Sequence, residues 1–264
     1  MKNEEIKNAN RKALPKFILI MATLLFAGFV LGFLASKYGI SALGGTLKSA
    51  GAFFGTYIAP WLMAATAVIM PAICIPIYLS AKKQIDAWDG EDEELYLAID
   101  RKLSAGMWIS NASLILSYFF MAASYSGGID MFDDGYKTAM FFVAVVSLFV
   151  IIFEMLMIGQ KCVDATKSIN PEKKASFYDM KFQKKWMEGC DEAEKILIGK
   201  CAFKSYAATN KVCAASAGVL AVGALLFDIG FLPSLAVCVI WIVNLSVYCR
   251  EAIKYSRAGN KISE

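Results

Sequence analysis

Six stretches of this chain run for about the length of a membrane-crossing helix with almost no charge, and that limits the fold more than any single motif. Phe17–Ser36, Trp61–Ala81 and Leu103–Tyr125 hold no charged side chain over 20, 21 and 23 residues. A helix needs about 20 apolar residues to cross ~30 Å of hydrocarbon. Thr138–Gln160 is similar except for one acid, Glu154. Val212–Phe227 is uncharged for only 16 residues. A fifth span is therefore expected to start near Tyr206 and to carry Asn210 and Lys211. Leu232–Cys249 gives a sixth, with Asn244 inside it, as Asn111 lies inside the third. In lipid a segment must satisfy its own backbone groups, and helices do so. The expected fold is all-α, a polytopic membrane helix bundle of six transmembrane helices (about 17–36, 61–81, 103–125, 138–160, 206–227 and 232–249), forming one integral membrane domain over 1–264.

Charge fixes the expected orientation. Of 27 Lys and Arg, ten fall in Lys161–Lys204, between two apolar stretches. Lys/Arg-rich loops stay in the cytoplasm. Placing 161–204 there leaves only Lys37, Lys48 and Lys137 in outer loops and puts both termini inside, at the cell membrane. Leu34-Ala35-Ser36 is the rival signal, a cleavage-like site after the first span, but the apolar run exceeds the ~7–15 residues of a signal core.

The connections carry local signals. Lys37–Ala59 is expected to be an outer loop with a short interfacial helix around Ala52–Tyr57. Pro60 suits a first helical turn, and Tyr57 and Trp61 suit the outer aromatic belt. Pro71 and Pro76 are expected to bend the second span, as a hinge or as a static kink. In the first inner linker, 82–102, Asp89-Gly90 reads as a turn and Glu91–Glu94 as the acidic start of a helix that continues into the third span. Asp130, Asp133 and Asp134 in the outer loop lack calcium-loop spacing and are read as solvated.

In the second inner linker, 161–204, Asn170-Pro171 reads as a helix start. Phe182, Trp186, Cys190, Ala193, Leu197 and Cys201 recur at steps of three or four, one apolar stripe of an amphipathic helix, which Gly189 weakens midway. With Asp191 and Glu192 beside it, this stripe is the candidate cytoplasmic interaction face. Linker 82–102 is net −3 and linker 161–204 net +3. The stripe is expected to pack on the inner ends of spans two to four, with Asp89–Glu94 facing Lys181, Lys184 and Lys185. The alternative lays the stripe on the lipid surface.

The inner ends of spans two, four and six resemble one another: Lys83-Gln84-Ile85-Asp86-Ala87, Lys161-Cys162-Val163-Asp164-Ala165 and Arg250-Glu251-Ala252-Ile253-Lys254. At one fixed offset Asp92-Glu93 matches Asp191-Glu192, Arg101 matches Lys200 and Asn111 matches Asn210. The pattern predicts three tandem helical hairpins with cytoplasmic helical extensions.

Several chemistries are excluded. The chain has no His, so Ser–His and Cys–His nucleophile systems lack a base. Its seven Cys form no Cys-x-x-Cys pair and lie in spans or inner segments, which fits free thiols rather than a zinc site or disulfides. There is no phosphate loop. Asp86-Ala87-Trp88-Asp89-Gly90 has the opening of a phosphatidyltransferase signature without the Ala-Arg that follows it. No catalytic, cofactor-binding or metal residues and no cofactor are expected. Glu154, the acid within a span, is the candidate intramembrane polar site together with Lys211, Asn111, Asn210 and Asn244. Glu154 and Lys211 each lie seven residues from an inner-face Lys, so a pair between spans four and five, snorkelling, or a proton or ion site are all open readings.

Trp88-Asp89-Gly90-Glu91-Asp92-Glu93-Glu94, Phe177-Tyr178-Asp179, Phe182-Gln183-Lys184-Lys185-Trp186 and Cys190-Asp191-Glu192-Ala193-Glu194-Lys195 together resemble a family of uncharacterised six-span membrane proteins of Gram-positive bacteria, a domain of unknown function. The resemblance spans nearly the whole chain. It implies location and topology and supplies no catalytic residues.

The expected function is a non-enzymatic binding, regulatory or immunity-type membrane protein acting through its cytoplasmic face. The alternatives are a transporter or membrane subunit of an ATP-driven exporter, and a membrane enzyme. The expected partners are the lipid bilayer and a membrane or cytoplasmic protein. Nucleic acid is not expected, because the basic linker also holds seven acids. The sequence leaves the oligomeric state open.

Overall fold

The structure is a computed structural model, and it describes residues 41–125, 128–227 and 229–257, with scattered positions between 11 and 33. The first expected span, 17–36, therefore lies largely outside the described residues. The described elements are helical: Ser41–Phe53 (α1), a π-helical turn Phe54–Ile58, Ala59–Ala87 (α2), Glu93–Ser124 (α3), a 3-10 turn Ile129–Asp133, Gly135–Ile169 (α4), Phe182–Glu188 (α5), Glu192–Phe227 (α6) and Leu232–Arg257 (α7). Five of the described helices are long and apolar enough to cross a membrane, which marks a multi-pass membrane protein. The chain divides into two compact units, residues 49–200 and residues 1–48 with 201–264.

In the first unit α2, α3 and α4 pack together. The buried positions recur at steps of four, three and seven. On α2 they are Ala59, Met63, Met70, Cys74 and Ala81, with Pro60 buried beside Ala59. On α4 they include Met140, Ala144, Ser147, Ile151, Ile158, Cys162 and Ala165. Spacing near 3.5 keeps one seam of each helix on its neighbours, as in left-handed coiled coils. Small residues let the backbones approach. Ser110 and Ser117 of α3 are fully buried, each donating its hydroxyl to a carbonyl of its own helix, Met107 and Leu114. At mid-bundle the Cys74 thiol donates to the Gly106 carbonyl at 3.7 Å. A Cβ on Gly106 would lie 3.7 Å from Cys162 Sγ, so three helices meet there with no room for a large side chain.

Two expectations about the start of this unit are corrected or refined. The outer loop expected at 37–59 is helix from Ser41 onward, running through a π-helical turn into α2. Pro60 supplies the reason for the turn. It has no N–H to donate four residues back, and the register slips so that Ala59 N–H reaches Phe54 O, five back. Farther along, α2 continues unbroken through Pro71 and Pro76.

At the end bearing Lys82–Lys102, Asp89 and Gly90 form the expected turn. Asp89 Oδ1 accepts from the N–H of Glu91 and Asp92 at 3.0 and 3.1 Å, and Gly90 takes φ +92°, which favours glycine. Those two backbone hydrogen bonds hold the Asp89 carboxyl below its ordinary value. Asp92 then caps α3 by accepting from Leu95 N–H at 3.0 Å.

In the second unit α6 and α7 form an antiparallel pair across a turn at Gly230 (φ +71°). Asn244 Nδ2 donates to Asn210 Oδ1 at 3.2 Å, and Tyr206 stacks on Tyr248 at 4.4 Å. The partners shift by four residues on each helix in opposite directions, as antiparallel helices require.

Candidate functional site

The 161–204 linker folds onto the bundle, by a different route from the expected one. Asn170-Pro171 does not start a helix. α4 ends at Ile169 with Asn170 as its C-cap, and the chain runs without helix to Lys181. The single stripe helix expected over 182–201 is two helices, with α5 stopping at Glu188 and α6 starting at Glu192. Gly189 is the reason for the break: a Cβ there would meet the Glu172 carbonyl oxygen at 2.7 Å, so the chain turns around backbone. Asp191 restarts the helix by accepting from Glu194 N–H at 2.7 Å. This repeats the Asp92–Leu95 cap at the offset seen in the sequence.

Three contacts fasten the non-helical stretch to one turn of α4. Gln160 Oε1 accepts from Ser176 Oγ at 3.0 Å and from Phe177 N–H at 2.8 Å. The Phe177 ring fills the space that a side chain at Gly159 would take, where a Cβ would meet the ring at 2.6 Å. The Tyr178 hydroxyl donates to Met157 Sδ at 3.6 Å. Phe177, Phe182 and Trp186 follow in a chain of ring contacts at 5.5 and 5.4 Å.

Behind the aromatics lies a buried cation. Lys173 is only 3% exposed. Its Nζ donates to Glu194 Oε2 at 2.5 Å and to Cys190 Sγ at 2.9 Å, and sits 5.3 Å from the Trp186 ring centroid. Burial alone would lower the Lys173 pKa, but the hydrogen bonds to Cys190 and Glu194 and the charge of Glu194 outweigh it and raise it. Asp100 and Tyr96 of α3 lie within electrostatic reach of the same Lys173 and Glu194.

The expected charge pairing between 89–94 and 181–185 does not occur among the described residues. Lys185 pairs instead with Asp179, which also accepts from Lys181 N–H. That partnership, Lys185 first, lowers the Asp179 pKa.

Of the candidate interaction face, the structure brings Trp186 and Cys190 onto Lys173 and Phe182 onto Trp186. Asp191 caps α6, Glu192 pairs with Lys195 at 3.0 Å, and Leu197 is 62% exposed. Sequence reasoning missed Lys173, Glu194, Gln160, Phe177 and Gly159 as docking residues. Lys173 is one of ten bases in its linker, and no local pattern separates it from the rest.

The same turn of α4 also lines a groove against α2. The groove encloses about 310 Å³, and its wall includes Pro71, Cys74, Ile75, Tyr78, Glu154, Met157, Ile158 and Lys161. Lys161 Nζ lies over the Tyr78 ring, 5.9 Å from its centroid. Glu154 Oε2 is buried with no hydrogen-bond partner among the described residues. Glu154 belongs to the 49–200 unit and Lys211 to the other. Asn111 donates to Met107 O of its own helix at 2.7 Å, while Asn210 and Asn244 pair with each other. Among the described residues the expected polar set thus divides into a carboxylate in a groove, an interhelical amide pair and an Asn bonded within its own helix.

A family model described as a protein of unknown function (DUF3169) matches residues 15–252. No curated protein and no solved structure matches the chain.

Proposed function

The chain belongs to the DUF3169 family of proteins of unknown function, and on that premise we propose a non-enzymatic binding and regulatory role at the cell membrane. In this reading the chain has six spans in three tandem hairpins. Both termini and both long linkers lie in the cytoplasm, and the docked linker reports the state of the membrane groove to a membrane or cytoplasmic protein. One observation carries it: a single turn of α4 serves both features. Met157 and Ile158 wall the groove, while Met157, Gly159 and Gln160 hold Tyr178, Phe177 and Ser176 of the linker. A body pressed into the groove displaces Met157 and with it the linker, because Met157 is shared between the groove wall and the Tyr178 contact.

The test fills the groove covalently. Ile75→Cys, with the native cysteines replaced, is alkylated with a bulky maleimide, and amide exchange is followed over residues 172–190. Faster exchange in the linker upon alkylation is expected; unchanged exchange would overturn the reading. For orientation, Cys at Gly135 should react with an impermeant thiol reagent in intact cells and Cys at Ser168 only after lysis. The reverse pattern would invert the topology.

A second reading, transport, is favoured by Pro71 in the groove wall beside a carboxylate, since a hinge at a membrane-depth site suits alternating access. Glu154-dependent solute flux in sealed vesicles would decide for it.

A further inference from the structure

We propose that the α2–α4 groove binds a free amphiphilic amine, its ammonium on Glu154 and its apolar body along Pro71 and Phe153. The inference rests on the membrane reading above and names the ligand class of that groove.

Three observations lead to it. The wall is apolar except for Tyr78, Glu154, Lys161 and the Cys74 thiol, so it suits a mostly hydrocarbon ligand. Its volume of about 310 Å³ is at the small end of ligand pockets, ~300–1,000 Å³. Glu154 lines it, half-buried, and its carboxylate oxygen Oε2 has no donor among the described residues; a carboxylate among apolar side chains calls for a cationic N–H partner. Lys161 does not supply it. No Glu154–Lys161 ion pair occurs among the described residues, and the lysine rests on Tyr78.

Depth separates a free amine from an aminophospholipid. Glu154 lies seven residues from Lys161 on one helix, about 10 Å along its axis. A lipid ammonium stands beyond its phosphate at the water interface, level with Lys161 in this topology. Only an amine without that phosphate sinks its nitrogen to Glu154 while keeping its tail in hydrocarbon.

The experiment uses the full chain in nanodiscs with a dansyl-tagged pentylamine as the probe. Saturable enhancement of dansyl fluorescence is expected. Dodecylamine should displace the probe, dodecyltrimethylammonium less well because it has no N–H, and dodecanol hardly at all. Glu154→Gln should weaken binding about tenfold or more, the effect of losing a charge-assisted hydrogen bond. Equal binding by Glu154→Gln, or equal displacement by dodecanol, overturns the proposal. It also falls if Glu154→Gln destabilises the ligand-free protein and Lys211→Met restores it, for the carboxylate then has an internal cation. The two readings fail separately. Amine binding without a linker response to alkylation at position 75 keeps the ligand and sinks the reporter function, while the converse keeps the reporter and sinks the ligand.

Discussion

Lys173 Nζ lies 2.5 Å from Glu194 Oε2 across 21 residues, with the lysine buried and the carboxylate side chain 31% exposed. This pair closes the 161–204 linker on itself. It ties the non-helical stretch after α4 to the first turn of α6, and the two ring contacts from Phe177 through Phe182 end at the Trp186 ring that lies beside the Lys173 ammonium. A buried lysine is tolerated where its charge is paired and its donors are used. Here Glu194, Cys190 and the Trp186 ring use them.

Removing the lysine charge should therefore loosen the linker without unfolding the bundle. We expect Lys173→Met to destabilise the docked linker by about 2 kcal/mol. That is below the ~3–5 kcal/mol of breaking a fully buried pair, because Glu194 can recover water. Glu194→Gln should cost at least as much, since it strands the buried ammonium. Limited proteolysis after Lys174 or Lys181 measures this. Equal cleavage in the Lys173→Met variant and the parent would show that the pair does not hold the linker.

The pH dependence follows from the same groups. A lysine with a raised folded pKa contributes stability that is complete below its ordinary value of 10.5 and is lost as pH rises through the folded value. Asp179, with a lowered pKa, contributes stability that is present above its ordinary 3.8 and is lost as pH falls. A variant retaining Trp186 as its sole tryptophan should keep constant fluorescence across the neutral range. Its signal should change above 10.5, where Lys173 loses the proton that faces the ring. A transition near neutral pH would contradict the assignment.

The glycine between α5 and α6 gives a steric prediction. An alanine at Gly189 meets main-chain oxygen at 2.7 Å, which a side-chain rotation cannot relieve. Gly189→Ala should destabilise the linker by about 1–3 kcal/mol, as overpacking does. Gly199→Ala, with open space around the site, should be neutral or slightly stabilising by helix propensity. Amide exchange at Cys190 and Asp191 reports the difference, and equal behaviour of the two variants would remove Gly189 as the cause of the break.

Within the second unit, the Asn210–Asn244 hydrogen bond should contribute about 0.6 kcal/mol and no more than ~1.7, the range for interhelical hydrogen bonds in membranes. A double-mutant cycle with Asn210→Leu and Asn244→Leu in a folding assay in bicelles measures it. Strict additivity would show that the two side chains do not act together.

The sequence alone determined the class of this protein. Charge-free runs of membrane length permit only helices, because a segment in lipid must satisfy its own backbone. The acidic helix start at Glu91–Glu94 and the Asp89–Gly90 turn were legible because caps and turns are short-range chemistry, complete within a few residues. Which face of each helix turns inward was not legible from hydropathy, since in lipid both faces are apolar. The small residues that face inward, such as Gly106, Ser110 and Ser117, emerged only from the packed structure. Tertiary structure alone decided the linker. A periodic stripe predicted one helix over 182–201, but the Glu172 backbone against Gly189 cut it in two, and Lys173 became the buried cation through a partner 21 residues away. The groove likewise exists only because α4 packs on α2: Glu154 and Tyr78 are far apart along the chain, and their meeting is set by the seam spacing of both helices rather than by either sequence segment.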